Sequence, residues 1–478
     1  MGILPNFCFY VKINPKIASF FLDICIIWVF RYHGHRQKAA PQNATSWGIA
    51  RLLRPAPRYA AFESRHCLWY AVESHKAAAY ARWVAAIFES EVPMARLRDV
   101  DLHERTVLAI QNANTQDEQY ALFCADGGVY HGNKEDGFVL LAVLENIRRF
   151  DGPIKMYYHF PYLCVTERYG LNAATVDIRT GQTRSFARED YHCDVSSYSA
   201  GFLEHQERVL LIHQTQWNRL DISDLETGEL LTKRQAVPQE AVDDIDYFHS
   251  LLHVSPDGKH FLSNGWIWHP VDHIRCFETA RFLKEYESCE AQTAYYSGYA
   301  WDRPCTFVGN DGFVLASDQG QLSMAEGVVA SALKEPPAYH QLLYYQISEV
   351  EARLYTYSGY ENQDTLPLAY SGKADCDVFA FDEYGEITGG ELHYDAESGH
   401  LVALSEKGAF ALALDGRVLY EDPDIRLHVS NWALRQGAKT VKTADWMQNW
   451  QYDTLRRSFY RFHAQGIEKK LFPQRVVF

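Results

Sequence analysis

Five histidines fall within one short stretch: His249, His253, His260, His269 and His273. Imidazoles at such density could hold a metal ion or shuttle protons, so their spacing matters. His269 and His273 are four apart, as a helical ligand pair requires, but Pro270 lies between them and argues against a helix. Neither an HExxH motif nor a Cys/His pattern completes a site. On strands side chains alternate between faces, so the five cannot all converge. No metal site is expected. Asp243, Asp244 and Asp246, and separately Asp375 and Asp377, offer carboxylates. Neither group has the loop spacing of a calcium site, and both read as solvated loops. The chain carries no GxSxG elbow, no phosphate-cradling GxxxxGK[ST] loop and no GxGxxG turn after a strand. A carboxylate pair brought together in space would be invisible at this level.

Aromatic residues offer binding instead of bond chemistry. "SYSAGF" (197–202), "YYSGYAWD" (295–302), "YTYSGYEN" (355–362) and "AYSGKAD" (369–375) share a Tyr-Ser-small core. A flat ring with one hydroxyl suits sugars, peptides and other stacking ligands. Tyr198, Tyr296, Tyr299, Trp301, Tyr357 and Tyr360 are therefore the candidate binding residues. They are expected to be partly exposed and clustered on one face. Trp266 and Trp268, two apart on one strand face, are expected to pack. No cofactor is expected.

The elements that must position these residues are short strands. Apolar runs recur at Tyr120–Cys124, Tyr162–Thr166, Val209–His213, Leu401–Ser405 and Ala409–Leu414, bounded by Asp-Gly, Thr-Gly and similar turn pairs. Each pair supplies a glycine for the positive φ that hairpins require. "ATVDIRTGQTRSF" and "NRLDISDLETGELL" align, and "DHIRCFETARFLKE" resembles them with Ala280 in place of the glycine. Spacing near fifty residues built of short strands is the signature of propeller blades. A four-stranded sheet buries both faces only when stacked against others, and circular closure limits open edges. Residues 94–429 accommodate about seven such blades, with six or eight as alternatives.

"HVSPDGKHFLSNGWIWHPVDHIRCFE" resembles a blade of the bacterial WD-repeat-like propellers. Ser255, Pro256, Asp257, Gly258 and Lys259 match the turn, and Phe277-Glu278 stands where those blades end in a dipeptide. The blade lacks the Gly-His start and the Trp-Asp pair. The resemblance implies an all-β propeller fold and brings no catalytic residue with it.

The flanks differ from this body. Residues 94–429 carry 26 Lys and Arg against 53 Asp and Glu, whereas residues 1–93 carry 11 against 5 and residues 430–478 carry 9 against 3. So acidic a body repels a phosphate backbone, and no nucleic-acid partner is expected. Residues 1–93 read as an extension that need not belong to the native fold, with Met94 as an alternative start. Residues 17–30 form an apolar run short of a membrane span, so no membrane association is expected unless they act as an anchor or export signal. Ten cysteines without a CxxC pair suggest reduced thiols and a cytoplasmic setting. Asp445 to Gly466 carries an apolar stripe at helical spacing through Trp446, Trp450, Leu455, Phe459 and Phe462, which predicts a basic C-terminal helix over the tail 430–478. The functional expectation is a non-catalytic binding or scaffold propeller presenting a Tyr-rich face to a protein or small ligand. A propeller-fold enzyme, such as a carbohydrate-active hydrolase or lyase, is the alternative.

Overall fold

The computed structural model describes residues 96–97, 106–113, 118–147, 152–232, 247–267, 271–284, 292–297, 300, 302–317, 340–347, 372–383, 385–430, 433, 443–463 and 466–471. Their regular secondary structure is nearly all antiparallel strand, arranged as a seven-bladed propeller. Residues 1–93, including the apolar run 17–30, lie outside the described residues. Among the described residues no helix is long and apolar enough to cross a membrane.

Each blade is a meander in which consecutive strands pair. The innermost strands are Val107–Asn112, Ile154–His159, Ala200–His205, Tyr247–Val254, Cys305–Phe307, Glu391–Asp395 and Gln451–Asp453, for blades 1 to 7. From blade 1 to blade 6 each innermost strand lies against the next, which defines the hub. Blade 1 gains a fifth strand, Arg96–Leu97, on its outer edge. Blade 3 has three strands, and its fourth is reduced to a single bridge, Ser223 to Leu230.

Burial explains why the strands read as unbroken apolar runs. Seven apolar clusters fill the seven spaces between neighbouring blades. Within one strand, Leu401 and Ala403 enter the cluster shared with blade 5, while Val402 and Leu404 enter the one shared with blade 7. Period-two alternation persists, but both faces are dry, so polar residues are not needed between the apolar ones.

Local chemistry forms the turns. Gly258 sits at φ +68°, the Ser255 hydroxyl and the Lys259 amide donate to Asp257 Oδ1, and a Cβ at Gly258 would stand 2.6 Å from the Glu204 carbonyl. The two Thr-Gly units share one pattern. Gly181 donates to the Asp177 carbonyl and Gly228 to the Asp224 carbonyl, each at 2.8 Å. In the third unit, where Ala280 replaces the glycine, a short helix (Thr279–Phe282) takes the place of the turn.

The expected C-terminal helix is corrected. Among the described residues from Asp445 to Gly466 helix reaches only to Trp446, the end of Thr443–Trp446, and Gln451–Asp453, Ser458–His463 and Gly466–Leu471 form a three-stranded sheet. This sheet is blade 7, so the propeller runs beyond residue 429. It closes the ring: the Asn112 amide nitrogen donates to Tyr460 Oη at 3.2 Å, the Asn112 side chain donates to Asp453, and Arg457 pairs with Asp395 of blade 6 at 2.7 Å. Four of the apolar residues spaced as a helix stripe are shared among the inter-blade clusters instead, Trp450 and Phe459 buried between blades 6 and 7 and Trp446 and Phe462 against the cluster of blades 7 and 1, while Leu455 is exposed in a turn.

Candidate functional site

The face that carries the connections from one blade to the next, here the top, holds two constructions. The first crosses the channel. Arg168 lies in the turn between the second and third strands of blade 2, and Asp302 in the connection entering blade 5. Their side chains meet at 3.5 Å, both almost fully buried. Asp302 also accepts from Ser197 Oγ at 2.7 Å and Ser250 Oγ at 2.6 Å. Arg168 stands 5.4 Å from the ring of Trp446, which precedes blade 7. A charged pair this buried persists only when hydrogen-bonded, and the two serines supply that support.

The second construction is an aromatic shelf above blades 3 and 4. Phe248 and Trp266 stack with centroids 3.8 Å apart and planes 5° from parallel. Trp217 tilts onto Phe248 at 4.6 Å, and Tyr191 reaches Trp217 at 5.2 Å and Phe248 at 5.7 Å. Phe248 and Trp266 are buried, Trp217 and His192 are half-buried, and Tyr191 is 50% exposed. Glu189, Asp190 and Asp194 are exposed in the same loop as Tyr191. The stack therefore runs from core to solvent and ends in an acidic rim.

One buried arginine shapes that loop. Arg188 donates to the carbonyls of Gly170, Cys193 and Ser196 at 2.7 to 2.9 Å and to Gln214 Oε1 at 2.7 Å. Burial pulls its guanidinium down to about 10, still charged at neutral pH. Trp266 Nε1 donates to Ser196 Oγ at 3.1 Å, tying the shelf to the same loop.

Below the channel-crossing pair, the hub is lined by groups from blades 2, 4 and 6. Lys155 comes from blade 2, His253 from blade 4, and Glu391 and His393 from blade 6, while Tyr157, on the same strand as Lys155, packs against the cluster between blades 2 and 3. His393 Nε2 lies 3.2 Å from Glu391 Oε2. Burial would raise the Glu391 carboxyl, but His393, Lys155 and Arg168 outweigh it and hold it at about 2. Burial, with the charges of Lys155 and His393, pulls His253 down to about 4. Among the described residues no group of three or more His, Cys, Asp or Glu side chains could hold a metal ion.

The sequence-derived candidates divide. Tyr198 is buried between blades 2 and 3 and donates to the Gln214 carbonyl at 3.1 Å, so the exposure expected of it is not found and its role is packing. Tyr296 lies on the strand Gln292–Ser297, at the top of blade 4, and its side chain lies outside the described residues, as do Tyr299, Trp301, Tyr357 and Tyr360. Tyr357 and Tyr360 fall in sequence between the strands Gln341–Gln346 and Gly372–Asp375. Sequence reasoning missed Tyr191, His192 and Trp217. The available signal was "REDYHCD", aromatic residues among acids just before a blade begins. Of the histidines, His249 is buried with Nδ1 2.8 Å from Ser263 Oγ. His269 and the side chain of His273 lie outside the described residues, as does Trp268.

No protein-family model matches the chain, and no curated protein matches it. Solved structures do. A Dos1 propeller is 10% identical, with a TM-score of 0.43, over 76% of this chain and 78% of that one. The Pan2 WD40 domain of Neurospora crassa is 10% identical, with a TM-score of 0.40, over 77% and 89%. BamB from Moraxella catarrhalis is 11% identical, with a TM-score of 0.37, over 74% and 81%. These neighbours are propellers and do not single out bacterial members, so the bacterial part of the resemblance is unsupported. Likeness at this level adds nothing about ligands, and the seven-bladed ring stands on the strand order of the chain itself.

Proposed function

We propose that this chain is a binding propeller whose top face engages a basic segment of a protein partner. The observation that carries the reading is the stack running from buried Trp266 and Phe248 through Trp217 to exposed Tyr191, rimmed by Glu189, Asp190 and Asp194. Aromatic faces attract guanidinium and ammonium groups, and carboxylates at the rim add long-range attraction. The buried half of the stack fixes the exposed half, so little side-chain entropy is lost on binding. Tyr296, near the end of the strand Gln292–Ser297, and Tyr299 and Trp301, which follow it in sequence before blade 5, are proposed to widen the same surface.

The enzyme alternative draws little from the hub. A general acid needs a carboxyl that holds its proton near neutral pH. Glu391 is held ionised at about 2.

The test is fluorescence anisotropy with a labelled Arg-Gly repeat peptide and a Glu-Gly repeat as control. The basic peptide should bind, weaken with salt, and lose about tenfold in affinity in Trp217→Ala, in line with the worth of one cation–π contact. Equal binding of both peptides, or an unchanged Trp217→Ala, would overturn the reading.

A further inference from the structure

We propose that the shelf is selective for arginine: a guanidinium lies flat on the outer face of Tyr191 with its N–H edge toward the carboxylates of Glu189, Asp190 and Asp194, and lysine, of equal charge, binds more weakly. The inference rests on the reading of the shelf as a site for a basic segment, and it names the side chain that the site takes.

The shelf is a column of planes. Trp266 and Phe248 lie 5° from parallel, and Tyr191 continues the column from Phe248, 27° from its plane with centroids 5.7 Å apart. Among the described residues no ring contact joins Tyr191 to Trp266, so Tyr191 ends the column. Two rings stand edge-on to it and fix its tilt, Trp217 at 67° and His192 at 69°. His192 is itself held edge-on to Phe248 and Trp266, at 80° and 75°. Tyr191 is thus braced from within and 50% exposed, and another planar group extends the stack outward.

No cation of the chain takes that place. Among the described residues neither lysine nor arginine lies over the rings of Tyr191 or Trp217. The carboxylates of Glu189, Asp190 and Asp194 enter no ion pair or hydrogen bond there either. The arginines nearest in sequence are committed elsewhere, Arg188 to the Gly170 carbonyl and Gln214, and Arg219 to Asp221 at 2.9 Å. At other rings the chain supplies its own guanidinium, Arg275 over Tyr247 at 4.0 Å and Arg461 over Trp450 at 4.5 Å.

Arginine and lysine carry one charge each, so an acidic rim attracts them alike. They differ in shape and hydration. Guanidinium is planar and weakly hydrated, so it stacks on a ring while its N–H groups point sideways at carboxylates. Ammonium is compact and strongly hydrated, and it must shed water to meet the same face. A plane that ends a stack of planes favours the first.

The test uses the full-length protein and labelled Arg-Gly and Lys-Gly repeat peptides of equal length, with the Glu-Gly repeat as control. Arg-Gly should bind about fivefold tighter than Lys-Gly, the worth of about 1 kcal/mol at a surface ring. Added salt should weaken both and leave their ratio in place, because screening acts on equal charges equally. Tyr191→Leu keeps apolar bulk and removes the plane. It should melt near the wild-type temperature, lose about fivefold in Arg-Gly affinity and bind the two basic peptides alike. Tyr191→Phe restores the plane and should restore the preference. Equal binding of Arg-Gly and Lys-Gly, both above Glu-Gly, would overturn the selectivity and leave the basic-segment reading standing. Failure of both basic peptides to exceed Glu-Gly would end both. A preference that survives in Tyr191→Leu would overturn Tyr191 as the platform.

Discussion

Arg168 and Asp302 belong to blades 2 and 5, as far apart as a ring of seven allows, yet their side chains meet at 3.5 Å. The contact spans the channel and ties two halves of the ring that share no blade interface. Its stability depends on both charges and on the serines that satisfy Asp302.

Asp302→Ala should therefore cost about 3 kcal/mol or more, because it leaves Arg168 buried without its partner. Asp302 also sits at φ +53°, which alanine tolerates poorly and asparagine better. Asp302→Asn should lose less than Asp302→Ala. Urea midpoints of the two variants check the order.

Gly258→Ala should cost at least about 2 kcal/mol, since a left-handed backbone and a blocked Cβ position act together. Gly399 has a similar φ, +71°, with open space where its Cβ would go. Gly399→Ala should lose only about 1 kcal/mol. Comparable losses at the two sites would show that the close approach to Glu204 does not matter.

Burial pulls His131, His213 and His253 each down to about 4. Unfolded histidine titrates near 6.5, so between about 6.5 and about 4 the unfolded chain binds more protons than the folded one. Stability from these residues is complete above that window and is lost as pH falls through it. The depressed Glu391 adds its own loss only below about 4.5, down to about 2. Urea midpoints measured from pH 7 to pH 4 should fall steeply. His213→Gln should flatten the slope by about one proton.

The shelf should separate into two energetic halves. Phe248→Ala removes a buried ring and should cost about 3 to 5 kcal/mol. Tyr191→Ala, at the exposed end, should change stability by no more than about 0.5 kcal/mol. Thermal unfolding of both variants makes the comparison. A large loss in Tyr191→Ala would mean that the shelf is packing throughout.

Local features of the fold were readable in advance where neighbours in sequence decide them. Asp177 to Gln182 and Asp224 to Glu229 form the same turn because aspartate, threonine and a positive-φ glycine bond with their own backbone. The strand runs were likewise legible, since burial on both faces writes itself as continuous apolar sequence. Their recurrence gave the blades. The tail misled because Trp450, Leu455, Phe459 and Phe462 fit a helical stripe as well as two strands and a turn. Pairing with residues 466–471 and docking of Tyr460 against Asn112 decide for strands. Those partners are remote in sequence and exert no local preference.

The amino-acid order by itself determined the repeating strand-and-turn units, the acidic charge of the body and the turn at Ser255–Lys259. Only tertiary structure decided which polar residues meet. Tyr198, just before the first strand of blade 3, turned inward because it abuts blade 2, while Tyr191, Trp217, Phe248 and Trp266 were gathered from four separate segments. Lys155, His253 and Glu391 share the hub only because blades 2, 4 and 6 each place an innermost strand around one axis. Closure of the ring brings these residues together, and closure is a property of seven inter-blade surfaces acting at once, which no single stretch of sequence encodes.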